Sequence, residues 1–130
     1  MTVMDASVAL TLVLPDEHAD GLDELLETIA RTGALAPTVW TFEVASGIAM
    51  ARRRGRIDSG ASDAALEVVS GFPMEFVHPR SADLVEMAGR TGLTVYDASY
   101  LTVCLAHGLP LATVDSGMRR AAVDLGIELL

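Results

Sequence analysis

Short apolar runs alternate along this chain with stretches whose apolar residues return every third or fourth position. Thr2-Val3-Met4, Ala34-Leu35-Ala36, Glu75-Phe76-Val77, Leu111 to Val114 and Ile127 to Leu130 predict five short strands. Ser7 to Leu14 predicts a helix closed by Pro15, which cannot continue it. From about Glu17 to Arg31, Leu22, Leu25, Leu26 and Ile29 share one helical face, with the acids largely opposite. Thr38 is placed to cap a helix over Val39 to Arg53, whose apolar stripe is Trp40, Val44, Gly47, Ile48 and Ala51. Ser62–Ser70, Ser81–Arg90 (capped by Ser81), Tyr96–His107 and a last helix carrying Met118, Ala121, Ala122 and Leu125 complete the pattern. Strands alternating with helices predict an α/β fold: a parallel sheet with right-handed crossovers and helices on both faces.

Four acids interrupt this pattern where acids are costly. Asp5 ends the first strand and opens the first helix, the place where open α/β sheets bind ligands. Asp115 ends the fourth strand in the same way. Asp97 begins the apolar stripe that continues through Leu101 and Cys104. Glu43 lies inside the stripe of its helix, where a carboxylate needs a partner or a metal ion. Asp5, Asp97 and Asp115 also stand at helix starts, where aspartate commonly serves as a cap. Gly47, one turn beyond Glu43, gives up ~1 kcal/mol of helix propensity, which points to a close neighbour there.

Composition narrows the possibilities. The 130 residues suit one domain over 1–130, and half of them are apolar, as in a chain that buries a core. No apolar run approaches the ~18 residues that cross a bilayer. No basic residue precedes Ala6 to Leu14, so that stretch reads as structure and not as a secretion signal. A single cysteine, Cys104, excludes an internal disulfide and suits a reducing cytoplasm. Nine arginines and no lysine stand against eighteen acids, for a net charge of −9. The missing lysine excludes a P-loop. It also argues against receiver domains and haloacid-dehalogenase-type phosphatases, which pair an early strand-end aspartate with a lysine. The acidity is unusual for a nucleic-acid binder, but it is unevenly spread. Asp16, Glu17, Asp20, Asp23, Glu24 and Glu27 crowd one amphipathic stretch, while Arg52, Arg53, Arg54 and Arg56 crowd another.

Clustered carboxylates suit magnesium or manganese, hard cations that take oxygen ligands and keep several waters. Such ions make water nucleophilic, polarise a phosphate and stabilise a leaving oxygen, the needs of phosphodiester cleavage. His18, His78 and His107 show no paired spacing, so an ordinary zinc site is not expected. Arg52, Arg53, Arg54 and Arg56, with Arg119 and Arg120, are the candidates for contacts to a nucleic-acid backbone. Trp40, Tyr96 and Tyr100 read as core or rim aromatics.

Four segments together resemble the PIN domain, and within it the VapC-type toxins of bacterial toxin–antitoxin pairs. They are Val3-Met4-Asp5-Ala6-Ser7, Pro37 to Ala45, Gly92 to Leu101, and Leu111-Ala112-Thr113-Val114-Asp115. The resemblance spans the chain. It implies a three-layer α/β/α fold with a five-stranded parallel sheet in order 3-2-1-4-5. It implies a Mg²⁺- or Mn²⁺-dependent endoribonuclease that leaves a 5′-phosphate and a 3′-hydroxyl. Asp5, Glu43, Asp97 and Asp115 would then be the catalytic metal ligands, with Ser7 and Thr113 orienting them. It also implies a homodimer and a small VapB-like antitoxin. Gly117 stands where many relatives carry a further acid, so one bound metal is expected at rest. Two other readings of the same scaffold are a binding module whose acids only support the fold or a partner, and a structure-specific DNA nuclease.

Overall fold

A computed structural model describes residues 1–130. In chain order the elements are β1 (Thr2–Met4), α1 (Ala6–Val13), α2 (Leu22–Thr32), β2 (Ala34–Pro37), α3 (Val39–Arg53) and α4 (Ser59–Ser70). There follow β3 (Met74–Val77), α5 (Ser81–Thr91), α6 (Val95–His107), β4 (Leu111–Ala112) and α7 (Ser116–Asp124). The strands form one parallel sheet in the order β3-β2-β1-β4. All residues of β1, β2 and β4 are buried, as expected of parallel strands covered on both faces. On one side α1, α3 and α4 pack together; on the other α5 packs on α6, and α6 lies against β2, β1 and β4. The apolar residues of these layers merge into a single core.

The expected fifth strand is reduced to one parallel bridge, Leu111 to Leu129. It sits beside β4, where the implied order puts it, so the order holds while the strand count falls to four. The cause lies in β4, which ends at Ala112 and not at Val114. Thr113 turns its hydroxyl to Asp5 and Asp115 turns into the cap of α7, so only Leu111 remains to pair. The second helix also starts later than the acid-rich pattern suggests. Gly21 takes a left-handed φ of 75° just before Leu22, a conformation open to glycine at no steric cost. Asp16 and Glu17, outside the helix, are held by Arg56. Thr38 caps nothing with its side chain; its hydroxyl faces His78 Nδ1 at 3.3 Å. Asp58 caps α4 by accepting from the Ala61 N–H, and the cap position before Ser81 is Arg80.

The helix α3 places Glu43, and Gly47 explains how α3 reaches its place. A Cβ at Gly47 would lie 2.6 Å from both methyl carbons of Leu10. No larger residue lets α1 and α3 approach so closely without displacing Leu10. The helix propensity given up at Gly47, ~1 kcal/mol, is offset by this contact. Since α1 follows directly from Asp5, the glycine also draws Glu43 toward the end of β1.

Candidate active site

The site lies at the C-terminal ends of β1 and β4. The Asp5 N–H donates to the Ala112 carbonyl at 2.9 Å, which pins the end of β1 to β4. Asp5 is 5% exposed, and its side chain does not cap α1. Ser7 Oγ and Thr113 Oγ1 each donate to Asp5 Oδ2 at 2.7 Å. Ser7 Oγ in turn accepts from the Val114 N–H at 3.2 Å, and Thr113 Oγ1 accepts from the Asp115 N–H at 3.1 Å. Two hydroxyls therefore tie the acid of β1 to the chain leaving β4. Both bonds fall on Oδ2, and Oδ1 is left for another partner.

Asp115 is an ordinary helix cap as well: its Oδ1 accepts from the Met118 N–H at 2.8 Å. Asp97 is not a cap, because Thr94 fills that role for α6 by accepting from the Asp97 N–H. Glu43, half-buried on α3, accepts from Tyr100 Oη at 2.7 Å. Tyr100 is fully buried on α6, so this bond joins the two helices that carry Glu43 and Asp97. In sequence Tyr100 reads as a core or rim aromatic. Its spacing, one helical turn after Asp97, was the available signal.

Burial raises the pKa of Asp5, opposed by the Ser7 and Thr113 hydrogen bonds and reinforced by the negative charge of Asp115. Burial also raises Glu43, and the charges of Asp5 and Asp97 raise it further. Asp97 is raised by burial and then by Asp5 and Asp115. Tyr100 is pushed well above the usual phenol range, chiefly by burial and then by Glu43. Asp5 thus feels the charge of Asp115, Glu43 those of Asp5 and Asp97, and Asp97 those of Asp5 and Asp115. The four acids, scattered over 111 positions of the sequence, share one electrostatic environment at the sheet's end.

The donors are all carboxylate oxygens, which suits a hard divalent cation. As they stand, no three His, Cys, Asp or Glu side chains gather closely enough to hold an ion. Like charges without a counter-ion repel, and a magnesium ion that keeps its waters needs few direct ligands. Asp5 keeps Oδ1 clear of the Ser7 and Thr113 hydroxyls, and in this respect the residues fit such a group.

The arginines divide. Arg52, Arg53 and Arg54 are exposed at the end of α3 and join no ion pair. Arg53 lies ten residues, or about 15 Å of helix, beyond Glu43. Arg120 is exposed on α7. Arg119 donates from Nη1 to the Thr113 carbonyl at 3.2 Å, close to the acids. Arg56 is removed from the candidates: it makes a two-pronged bond to Asp16 at 2.8 and 2.6 Å and also reaches Glu17. A guanidinium so engaged has little left to offer a phosphate.

The profile of the PIN domain matches residues 2–124 of the sequence. The chain belongs to the PIN domain family. This is a nuclease fold whose members generally use divalent metal ions. The PIN domain described here is similar to the crystal structure of PAE2754 from Pyrobaculum aerophilum, at 26% identity and a TM-score of 0.73. That match covers 92% of this chain and 78% of the other. It is also similar in fold to FitAcB from Neisseria gonorrhoeae, at 16% identity and a TM-score of 0.69, over 100% of this chain and 96% of that one. A search of the curated proteins found no match to the sequence. No helix of this PIN domain is long and apolar enough to cross a membrane.

The Glu43–Tyr100 bond makes a first prediction. Tyr100→Phe removes the only hydrogen-bond donor to Glu43 and nothing else of the ring. A bond to a charged group contributes about 1.5–3 kcal/mol, so nuclease activity should fall by roughly tenfold to a hundredfold. The pH at which activity is lost on acidification should move upward, because the bond to Tyr100 holds the Glu43 pKa down. A pH–rate profile of the variant identical to that of the parent would remove Tyr100 from the site.

Proposed function

We propose that this PIN domain is a metal-dependent endoribonuclease, the toxin of a VapC-type toxin–antitoxin pair, acting in the cytoplasm as a homodimer. The observation that carries the nuclease reading is the gathering of four acids toward one end of the sheet, where Thr113 ties Asp5 to the chain at Asp115 and Tyr100 ties Glu43 to the helix of Asp97. The toxin reading is supported by the four segments that resemble the VapC-type proteins. Family membership favours a catalyst over a binding module whose acids serve only the fold. The costly burial of Asp5, unpaired with any cation, points the same way.

Asp5, Glu43, Asp97 and Asp115 would hold Mg²⁺ or Mn²⁺. When bound, the ion supplies a polarised phosphate and a water of lowered pKa. Asp5 presents Oδ1, since Ser7 and Thr113 occupy Oδ2. Tyr100 holds Glu43 in a single orientation on its side of the cluster. Asp115 is fixed by the first turn of α7, and Asp97 is carried in the first turn of α6. Hydrolysis breaks the bond between phosphorus and the 3′-oxygen. The attacking water's oxygen stays on the 5′-phosphate, and one proton passes to the departing 3′-oxygen. Arg119, Arg120 and the Arg52–Arg54 strip are placed to meet flanking phosphates. A small VapB-like antitoxin is the proposed partner.

The test is to incubate the protein with single-stranded RNA, and with DNA of the same sequence, in Mg²⁺, Mn²⁺ or EDTA. Mg²⁺- or Mn²⁺-dependent cleavage of RNA alone, with 5′-phosphate ends, is expected. Cleavage of the DNA strand and not the RNA would favour a DNA nuclease. No cleavage of either would leave a binding module.

A further inference from the structure

The acids Glu43 and Asp97 are partly exposed at the surface. They line a groove of about 530 Å³ between α3 and the start of α6. Each is preceded in the chain by an aromatic residue, Phe42 and Tyr96, and both aromatics line the same groove. Phe42 is 76% exposed and Tyr96 63% exposed. A phenylalanine so exposed adds little to the core, and a second uncovered ring lines the same groove. Along α3, Phe42, Ser46, Met50 and Arg53 recur at helical spacing, so one face of the helix runs from the aromatics to the free arginines. The strip is about 16 Å long.

We infer that Phe42 and Tyr96 form a nucleobase-stacking subsite that seats a base next to the scissile phosphate, which a divalent ion on Glu43 and Asp97 would hold, on single-stranded RNA lying along α3. This rests on the nuclease reading and adds to it a contact that seats an unpaired base beside the cut. Three observations select a nucleic-acid strand as the occupant. The rings are one residue from the acids, so the groove is continuous with the cleavage site. The far end of the same face carries Arg53, which no carboxylate neutralises, and suits a backbone phosphate. The exposed rings suit stacking, which accepts any unpaired base because every base has a π-face. Duplex RNA keeps its bases stacked on one another and offers no face to such a site.

The experiment pairs protein and RNA changes. An RNA with a mapped cleavage site is made intact and with an abasic ribose at each position flanking the cut. Each is given to the parent, Phe42→Ala, Tyr96→Ala and Phe42→Trp. Alanine at either position is expected to lower kcat/KM on intact RNA on the order of tenfold to a hundredfold, and tryptophan to retain it. An abasic position should cost the parent a similar factor and cost the alanine variants little more. Equal cleavage of intact RNA by parent and both alanine variants overturns the subsite. So does an abasic penalty that persists in full in the variants. If the alanine variants instead change sedimentation behaviour or binding of a co-expressed protein while cleavage stays intact, the rings belong to a protein interface. If the parent itself cuts no RNA, the nuclease reading falls first; failure of the subsite alone appears only as a difference missing between parent and variants.

Discussion

Asp5→Asn is expected to lower RNA cleavage by about a thousandfold or more while making the metal-free protein more stable. The two effects share one cause. A buried carboxylate with two hydroxyls on Oδ2 has lost its water and gained no cation, so its charge is held against a desolvation cost. Asparagine keeps the shape, and its carbonyl can accept both hydroxyl bonds. Its amide carries no charge, so it no longer repels Glu43 and Asp97. What it cannot do is hold a divalent ion, whose stabilisation of the transition state amounts to several kcal/mol, and ~1.4 kcal/mol is tenfold in rate. Single-turnover cleavage and thermal unfolding in EDTA check both halves, with Tm rising about 4 °C for each kcal/mol regained. An Asp5→Asn protein that cleaves RNA like the parent would remove Asp5 from the chemistry. One that unfolds sooner would show that the charge supports the fold.

Divalent ions should reverse the pH dependence of stability. Asp5, Glu43 and Asp97 all have folded-state pKa values raised by burial and by one another. The folded protein therefore binds these protons more tightly than the unfolded chain does. The stability they confer is fully present below the unfolded carboxylate values near 4 and is lost as pH rises through the folded values. Without metal, this cluster makes the protein less stable at neutral pH than below pH 4. Magnesium selects the ionised form and binds only the folded chain. At a hundred times its dissociation constant it adds about 2.7 kcal/mol, or roughly 10 °C in Tm for a chain of this size, and the effect should shrink toward pH 5. Thermal melts across pH with Mg²⁺ or EDTA read this directly. A metal-induced shift that is flat in pH, or that survives in Asp5→Asn, would place the bound ion elsewhere.

Much of this arrangement was legible in the one-dimensional pattern because it depends on local periodicity. Helix α3 was readable from Val39 to Arg53, since its stripe repeats at 3.6 residues, although Thr38 turns its hydroxyl to His78 instead of capping the helix. Glu43 stood out because an acid inside that stripe contradicts the rule around it. Gly47 announced a close neighbour by its poor propensity, although only the packing of α1 showed that the neighbour is Leu10. Strand order followed from the family resemblance of four spaced segments, none of which suffices by itself.

The tertiary structure decided what depends on groups distant in sequence. Asp5, Asp97 and Asp115 all looked like caps; only Asp115 has a capping side chain, because Ser7 and Thr113 claim Asp5 and Thr94 caps α6. Arg56 looked equivalent to its three neighbours until Asp16, 40 positions away, took its guanidinium. The fifth strand vanished into one bridge because the hydroxyl of Thr113 serves Asp5 and the chain turns there. Tyr100 became part of the site through a bond to a residue 57 positions earlier. Sequence spacing specifies which face of its own element a side chain occupies. Which partner meets that face is set by packing the elements together, and the chemistry of this cluster resides in those meetings.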